Sequence, residues 1–236
     1  MNNIQKTARF AGILYLIITV AAIVAHIYMP SELIVAGDAT ATAQNINNST
    51  TFFRFGGIGS ELIILLSEVI LSIVLFVLLK PVNKVLSMLA AVSRLVMTTV
   101  HAFNLINYFF VIILLGGSSY LSVFNAEQIN ALSMLFLEAH GFGFTIGIAF
   151  LVIHVIILGY LIIKSGYFPK VLGYLFLAAG LGYLIDSFGL LLFANYETTP
   201  TIIAIVISVS ELVFPLWLLI KGVNRDRYQE RITSTN

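Results

Sequence analysis

Six long apolar segments run along the chain and are separated by short polar stretches. Each is long enough for a helix to cross the hydrocarbon core of a bilayer, which takes about 20 residues. Their length and continuous apolar character favour helices over barrel strands, which are shorter and alternate in polarity. The sequence therefore predicts an all-α bundle, a single integral membrane domain over residues 1–236. The expected spans are residues 10–29, 56–79, 85–115, 141–163, 171–194 and 201–220.

Two of the stretches between spans predict short helices in the outer loops. Asp38 precedes an Ala- and Thr-rich run and has the side chain of a helix N-cap. Asn125 has the same role in the second stretch, where Ile129, Leu132 and Phe136 follow at helical spacing. We expect both helices to lie along the outer surface of the bundle.

The basic residues gather on one side of this topology, and Arg54 alone lies on the other side. By the positive-inside rule, this distribution predicts that both termini are cytoplasmic and that the membrane is the cell (inner or plasma) membrane. We expect the first segment to be a retained span, because its apolar run is long for a cleaved signal peptide. The basic residues of the inner side are Lys6, Arg9, Lys80, Lys84, Lys164, Lys170, Lys221, Arg225, Arg227 and Arg231.

The composition agrees with a protein whose main solvent is lipid. Of the 236 residues, 59% are hydrophobic and 10% are charged, against roughly 25% charged in a soluble domain. The 12 basic and 11 acidic residues nearly cancel, so no bulk field points to nucleic acid. The absence of cysteine excludes disulfides, thiolate metal sites and cysteine nucleophiles. The lipid bilayer is the expected partner, and nothing in the sequence indicates a cofactor or an oligomeric state.

Ionisable side chains interrupt five of the six spans near their middle. Each costs roughly 2.5–3.5 kcal/mol to insert at a helix centre, so such residues are candidates for function. From the helical rise per residue, we expect them to converge near one central depth. Seven residues separate Glu61 from Glu68, and Arg94 from His101, so each pair lies on one helix face. The candidates for ligand or proton handling are Glu68, Arg94, His101, His140, His154, Asp186 and Glu211.

Arg94 has two interpretations. An ion pair with Glu68 or Glu211 would lock helices together, because a buried guanidinium cannot readily lose its proton. Alternatively, its bidentate fork would receive a carboxylate or phosphate of a ligand. Asp186 and Glu211 are either hydrogen-bonded acids at helix contacts, or groups that relay protons, coordinate a cation or act in acid–base catalysis.

A metal site is only weakly indicated. His101, His154, Asp186 and Glu211 could supply ligands, but no two histidines have the i, i+4 spacing of a helical zinc motif. Sequence motifs of the common ATPases, zinc proteases and serine hydrolases are absent. Glycines at helical spacing, Gly143 with Gly147 and Gly173 with Gly180, predict close helix contacts.

Three functions remain open. The leading hypothesis is small-molecule or lipid binding or transport through a polar intramembrane cavity, with Arg94 receiving an anionic group. The first alternative is a membrane-embedded hydrolase, possibly metal-dependent, which would use His140, His154, Asp186 and Glu211. The second is a structural or immunity-type membrane factor whose polar groups only hold helices together. The sequence favours a protein that is not an enzyme.

Several strings together resemble one prokaryotic membrane family, catalogued as domain of unknown function 4386. They include Arg9-Phe-Ala-Gly-Ile-Leu-Tyr-Leu, Gly37-Asp-Ala-Thr-Ala-Thr-Ala-Gln-Asn-Ile and Ser165-Gly-Tyr-Phe-Pro-Lys-Val-Leu-Gly. The resemblance runs from about residue 9 to residue 224. It implies a six-helix integral membrane protein and supplies no activity. It also implies that the following residues belong to the family pattern: Asp38, Arg54, Arg94, His140, Asp186 and Glu211.

Overall fold

The computed structural model describes residues 3–196 and 198–233, and this part of the chain is helical throughout with no β-strand. Six helices are long and apolar enough to span a membrane, so the predicted all-α, six-helix bundle is confirmed. Two shorter helices accompany them. In chain order the helices are α1 (Asn3–Leu33), α2 (Ala39–Asn48), α3 (Thr50–Leu79), α4 (Lys84–Leu115), α5 (Ala126–Ser165), α6 (Lys170–Leu192), α7 (Thr201–Ile220) and α8 (Arg225–Thr233).

The predicted caps form, but one predicted outer helix does not lie on the surface. Asp38 accepts a hydrogen bond from the backbone N–H of Ala41 at 2.8 Å and begins α2. Asn125 forms a reciprocal capping box with Gln128. That helix then continues without a break into the fourth span. At 40 residues, α5 is about 60 Å long, so its first turns project beyond the bilayer.

The six long helices form a closed ring in chain order. Each helix packs on the next, and α1 packs on both α3 and α7, which closes the ring. Both chain ends lie at one end of the bundle, here named the terminal end. There Gln5 holds the chain after α7, because its amide donates to the carbonyl oxygen of Val223 and accepts from the N–H of Val223, both at 3.0 Å. The opposite end, which carries α2, is named the far end.

Apolar side chains fill the bundle in two large clusters and a small third one around Ala25 and Ile64. The terminal cluster includes Leu71, Leu158 and Phe214. The far cluster includes Phe53 and Val111. The many large apolar residues that remain exposed on the outside of the ring have lipid as their natural solvent, and the chain is a multi-pass membrane protein. The buried polar groups lie on the inward faces, between and within the two clusters.

Candidate functional site

The first group of buried polar residues joins α3 to α4 by an ion pair. Glu68 and Arg94 are both buried. Arg94 Nη2 donates to Glu68 Oε1 at 2.8 Å, and Arg94 Nε donates to Glu68 Oε2. Both carboxylate oxygens therefore face the guanidinium in the bidentate geometry that makes such pairs strong. This pair is the first of the two interpretations of Arg94.

Two further side chains complete this group, which we name the ion-pair layer: Glu68, Arg94, His154 and Tyr15. Arg94 Nη1 lies 3.0 Å from His154 Nε2 and 3.5 Å from the Tyr15 hydroxyl. His154 Nδ1 lies 2.8 Å from the carbonyl oxygen of Ala90. Because a carbonyl can only accept, Nδ1 carries the proton and Nε2 accepts from Arg94. His154 is thus neutral and held in one tautomer, and all three nitrogens of Arg94 have partners.

The second group lies about 10 Å away toward the far end, since seven residues separate Glu61 from Glu68 along α3. Glu61 is buried. Its Oε1 lies 3.6 Å from His26 Nε2 and 3.8 Å from His140 Nε2. Both distances exceed the range of a hydrogen bond. Glu61 Oε1 is one of the few buried side-chain oxygens or nitrogens in the described residues that have no hydrogen-bond partner.

Aromatic rings fix the histidines of this second group, which we name the histidine layer: His26, Glu61, His101 and His140. Tyr108 stacks on His140 with ring centroids 3.9 Å apart. Phe144 stacks on His101 at 4.8 Å and lies against His26 at 4.5 Å. A ring nitrogen of His101 also lies 3.0 Å from the carbonyl oxygen of Phe144. The imidazoles are therefore positioned by packing on both sides rather than by Glu61.

Local helix geometry explains why these residues face one another. Residues Ile23–Tyr28 of α1 and Phe53–Gly59 of α3 are π-helical, and the two segments contact each other. A π-helical turn inserts one extra residue and turns the following side chains to a new direction, and such turns occur frequently at functional sites. His26 lies within the first segment and Glu61 follows the second.

Two glycines of α5 allow this helix to pack closely against α4 in the histidine layer. A Cβ atom on Gly143 would overlap the Asn104 side chain, and one on Gly147 would overlap the His101 ring. The small-residue pair that the sequence indicated is therefore the surface against which α4 packs. Asn104 uses this closeness to donate from Nδ2 to the carbonyl oxygen of His140 at 2.9 Å.

Not all candidates converge, and the expected single central layer is wrong. His101 belongs to the histidine layer and not to the Arg94 group. Asp186 lies at the far end, where its carboxylate accepts from the Tyr196 hydroxyl at 3.0 Å and from Thr199 Oγ1 at 2.9 Å. The physical reason is that a helix enters the bilayer at a depth set by its loops. A residue count from an assumed boundary places a side chain only to within a few turns.

Glu211 has a third environment. Its carboxylate accepts a hydrogen bond from the Tyr183 hydroxyl across the α6–α7 contact. The residue itself is solvent-accessible in the isolated bundle, and it is close enough to Arg94 to interact with it electrostatically. Glu211 therefore joins α7 to α6 and does not form the ion pair with Arg94.

The four weak metal candidates are likewise separated. His154 Nε2 faces a guanidinium, and Asp186 is held by two hydroxyl groups. Within residues 3–196 and 198–233, no group of three or more His, Asp or Glu side chains has the arrangement of a metal site.

Comparison with known proteins places this arrangement in a family. A model described as Domain of unknown function (DUF4386) matches residues 10–222, which is most of the chain. The chain belongs to this family. A relative from Archaeoglobus fulgidus, named only as an uncharacterized protein, is 29% identical over 177 residues, covering 75% of this chain and 88% of that protein. No solved structure matches the chain.

The predicted family membership is therefore confirmed. Two of the residues that the resemblance implied for the family pattern lie one in each layer. Arg94 lies in the ion-pair layer and His140 in the histidine layer. Asp38 acts as the cap of α2.

Sequence reasoning missed the centre of the histidine layer. His26 was not among the candidates that the sequence indicated, and Glu61 entered only through its seven-residue spacing from Glu68. The seven-residue repeat of Glu61 with Glu68, and of Arg94 with His101, was the available signal, because two such pairs on neighbouring helices produce two layers. The tyrosines Tyr15, Tyr108 and Tyr183 gave no signal, since aromatic residues are common in spans.

Proposed function

We propose that this membrane protein binds a proton in its histidine layer, with Glu61 as the central group, and that it acts as a proton-linked binding or transport protein. The observation that carries the proposal is the buried Oε1 of Glu61, which has no hydrogen-bond partner and faces two imidazole nitrogens. A polar group that is costly in a bilayer is by default a candidate for function.

The contrast between the two layers supports this assignment. In the ion-pair layer every charged group has a partner, so those residues contribute to holding the helices together. Glu61 makes no such hydrogen bond, and burial of a carboxylate without a donor is expensive. If Glu61 Oε1 and a facing imidazole nitrogen moved closer than their present 3.6 or 3.8 Å, one shared proton would form the hydrogen bond that Oε1 lacks. The three groups are therefore expected to titrate as a coupled unit.

The surroundings of Glu61 favour a proton over a larger ligand. The titratable groups that face it are His26 on α1, His140 on α5, and Tyr108 with His101 on α4. Tyr108 also belongs to the apolar far cluster, so apolar side chains pack beside these groups. The His26 side chain is 25% exposed, whereas those of Glu61 and His140 are 5% and 7% exposed. His26 is thus the natural point of entry.

The proton would enter from the far end. Toward the terminal end, the path from the layers is filled by apolar residues such as Leu75, Leu158 and Ile162. Since the basic residues gather at the terminal end, the positive-inside rule makes that end cytoplasmic and the far end the outer side. Proton access from one side only is expected for one state of an alternating-access carrier. It is also expected for a sensor.

We expect infrared difference spectroscopy of the protein in lipid nanodiscs to show a carboxylic acid band that changes with pH and that disappears in Glu61→Gln. Glutamine keeps the size of the side chain and cannot titrate. The matched control is Glu138→Gln, which changes an exposed carboxyl at the same end of the bundle and should leave the band unchanged.

Thermal unfolding of the same variants distinguishes a functional role of Glu61 from a role in stabilising the bundle. Glu61→Gln is expected to unfold at the same temperature as the parent or above it, because the substitution removes a buried acid that lacks a partner. A band that persists in Glu61→Gln, or a large loss of stability in that variant, would contradict the proposal.

A further inference from the structure

The terminal end carries a groove that no part of the proton proposal uses. It encloses about 750 Å³ and lies between the start of α1, the α3–α4 turn and α8. Three cations line it, Lys80, Lys84 and Arg225, and none of the described lining residues is acidic. Within the described chain, none of the three makes a salt bridge.

Two helices, α4 and α8, begin at this groove, and α1 lies beside it. The first described residue of α1, Asn3, and the first residues of α4 and α8, Lys84 and Arg225, all contribute to its lining. A helix N-terminus carries a partial positive charge and unpaired N–H groups, which favour an anion and disfavour a cation. Lys84 and Arg225 therefore stand where helix stability alone would select against them. The side chains of Asn83 and Asn224 already accept from one N–H each in α4 and α8. An anion bound beside these two helix starts would be favoured by the cations and by the helix dipoles together.

The remaining lining residues indicate what kind of anion fits. Ile4, Val77 and Ile232 give the groove an apolar side, and Tyr228 and Gln229 add polar groups. Lys80 directly follows the last residue of α3, so the groove lies at the level where the bilayer meets water. The helical spacing of Arg225, Tyr228, Gln229 and Ile232 turns one face of α8 to the groove. The acidic Asp226 and Glu230 lie on the adjoining face of α8, which shares Gln229 with the groove.

We propose that this groove binds a phosphate group, in the form of the headgroup of an anionic phospholipid with its chains along the apolar side. Basic pockets beside membrane helices recognise such headgroups by the same combination of charges. A free phosphate ester shares the headgroup chemistry but would make no use of Ile4, Val77 and Ile232.

The test compares two triple variants with the same change in charge. Lys80→Gln, Lys84→Gln and Arg225→Gln together remove the cations of the groove. Lys164→Gln, Lys170→Gln and Lys221→Gln together remove three cations of the same end that do not line it. Binding of a fluorescent short-chain phosphatidylglycerol is measured for each protein in phosphatidylcholine nanodiscs, with size-exclusion chromatography to show that both variants fold.

The groove variant is expected to lose about tenfold or more in affinity, and the control variant to retain most of its affinity. Equal losses in the two variants would show attraction to the basic surface as a whole and would overturn the site, as would no loss in either. Competition with inorganic phosphate and glycerol phosphate distinguishes a lipid headgroup from a free phosphate as the ligand. Weak competition by these compounds supports a phospholipid as the ligand. Competition as strong as that of unlabelled phosphatidylglycerol would overturn the lipid proposal and would indicate a soluble phosphate ligand instead.

Discussion

Replacing Arg94 with methionine is expected to lower the free energy of unfolding by about 3–5 kcal/mol, the usual cost of breaking a buried ion pair. The variant would leave the carboxylate of Glu68 buried without a cation. It would also remove the donor to His154 Nε2. The loss of stability therefore comes from the buried polar groups that remain without their partner. It affects the contacts among three helices, α3, α4 and α5.

A double variant distinguishes this role from that of a ligand receptor. Glu68→Leu with Arg94→Met removes both charges and should recover most of the loss, because a buried ion pair can be replaced by apolar residues at little cost. Arg54→Met is the matched control, since Arg54 is an exposed arginine of α3, and we expect its free energy of unfolding to change by no more than about 0.5 kcal/mol.

The measurement is equilibrium unfolding in mixed micelles, followed by the fluorescence of Trp217, the one tryptophan of the chain. If Arg94→Met were as stable as the control, the ion pair would not hold the bundle and a receptor role for Arg94 would gain support.

The sequence predicted the parts of this fold that follow from composition and spacing. Six spans followed from apolar length, and the caps at Asp38 and Asn125 from their side chains. The need of a buried guanidinium for an acceptor predicted an ion pair of Arg94 with Glu68 or Glu211, and the structure has Glu68 as the partner. The spans and the caps depend on local physics that a single segment already contains.

The features that the sequence could not predict depend on how each helix is shifted and rotated against its neighbours. The π-helical segments of α1 and α3 turn His26 and Glu61 toward each other, and no spacing rule for regular helices anticipates that change of direction. The continuous α5 carries His140 and His154 fourteen residues apart, so they fall in different layers. Asp186 was assigned to the centre by counting from an assumed boundary and lies at the far end instead. Depth and direction are tertiary properties, which explains why the candidate residues were mostly found while their grouping was not.

The glycines of the α5–α6 contact give the second large expected effect. Gly173→Ala is expected to destabilise the bundle by about 1–3 kcal/mol, the cost of overpacking a close contact. A Cβ on Gly173 would lie 2.5 Å from the carbonyl oxygen of Gly159 and 3.0 Å from the backbone nitrogen of Ile163. Backbone atoms cannot rotate away, so the two helices would have to separate.

Two other glycines provide a graded control for this prediction, measured by the same unfolding experiment. At Gly180 the nearest obstacle is the side-chain atom Cγ1 of Ile156 at 2.7 Å, which can change rotamer, so alanine there should cost less. At Gly141 a Cβ would meet nothing within 4 Å, and alanine should be neutral or stabilising by up to about 1 kcal/mol through its better helix propensity. An equal cost at all three positions would contradict the prediction, because the loss would then not follow the closeness of the α5–α6 backbone contact. Because α5 carries His140 and His154, a displacement of α5 would move one residue of each layer together. Gly173→Ala is therefore also expected to change the pH at which the Glu61 carboxyl band titrates, whereas Gly141→Ala is not.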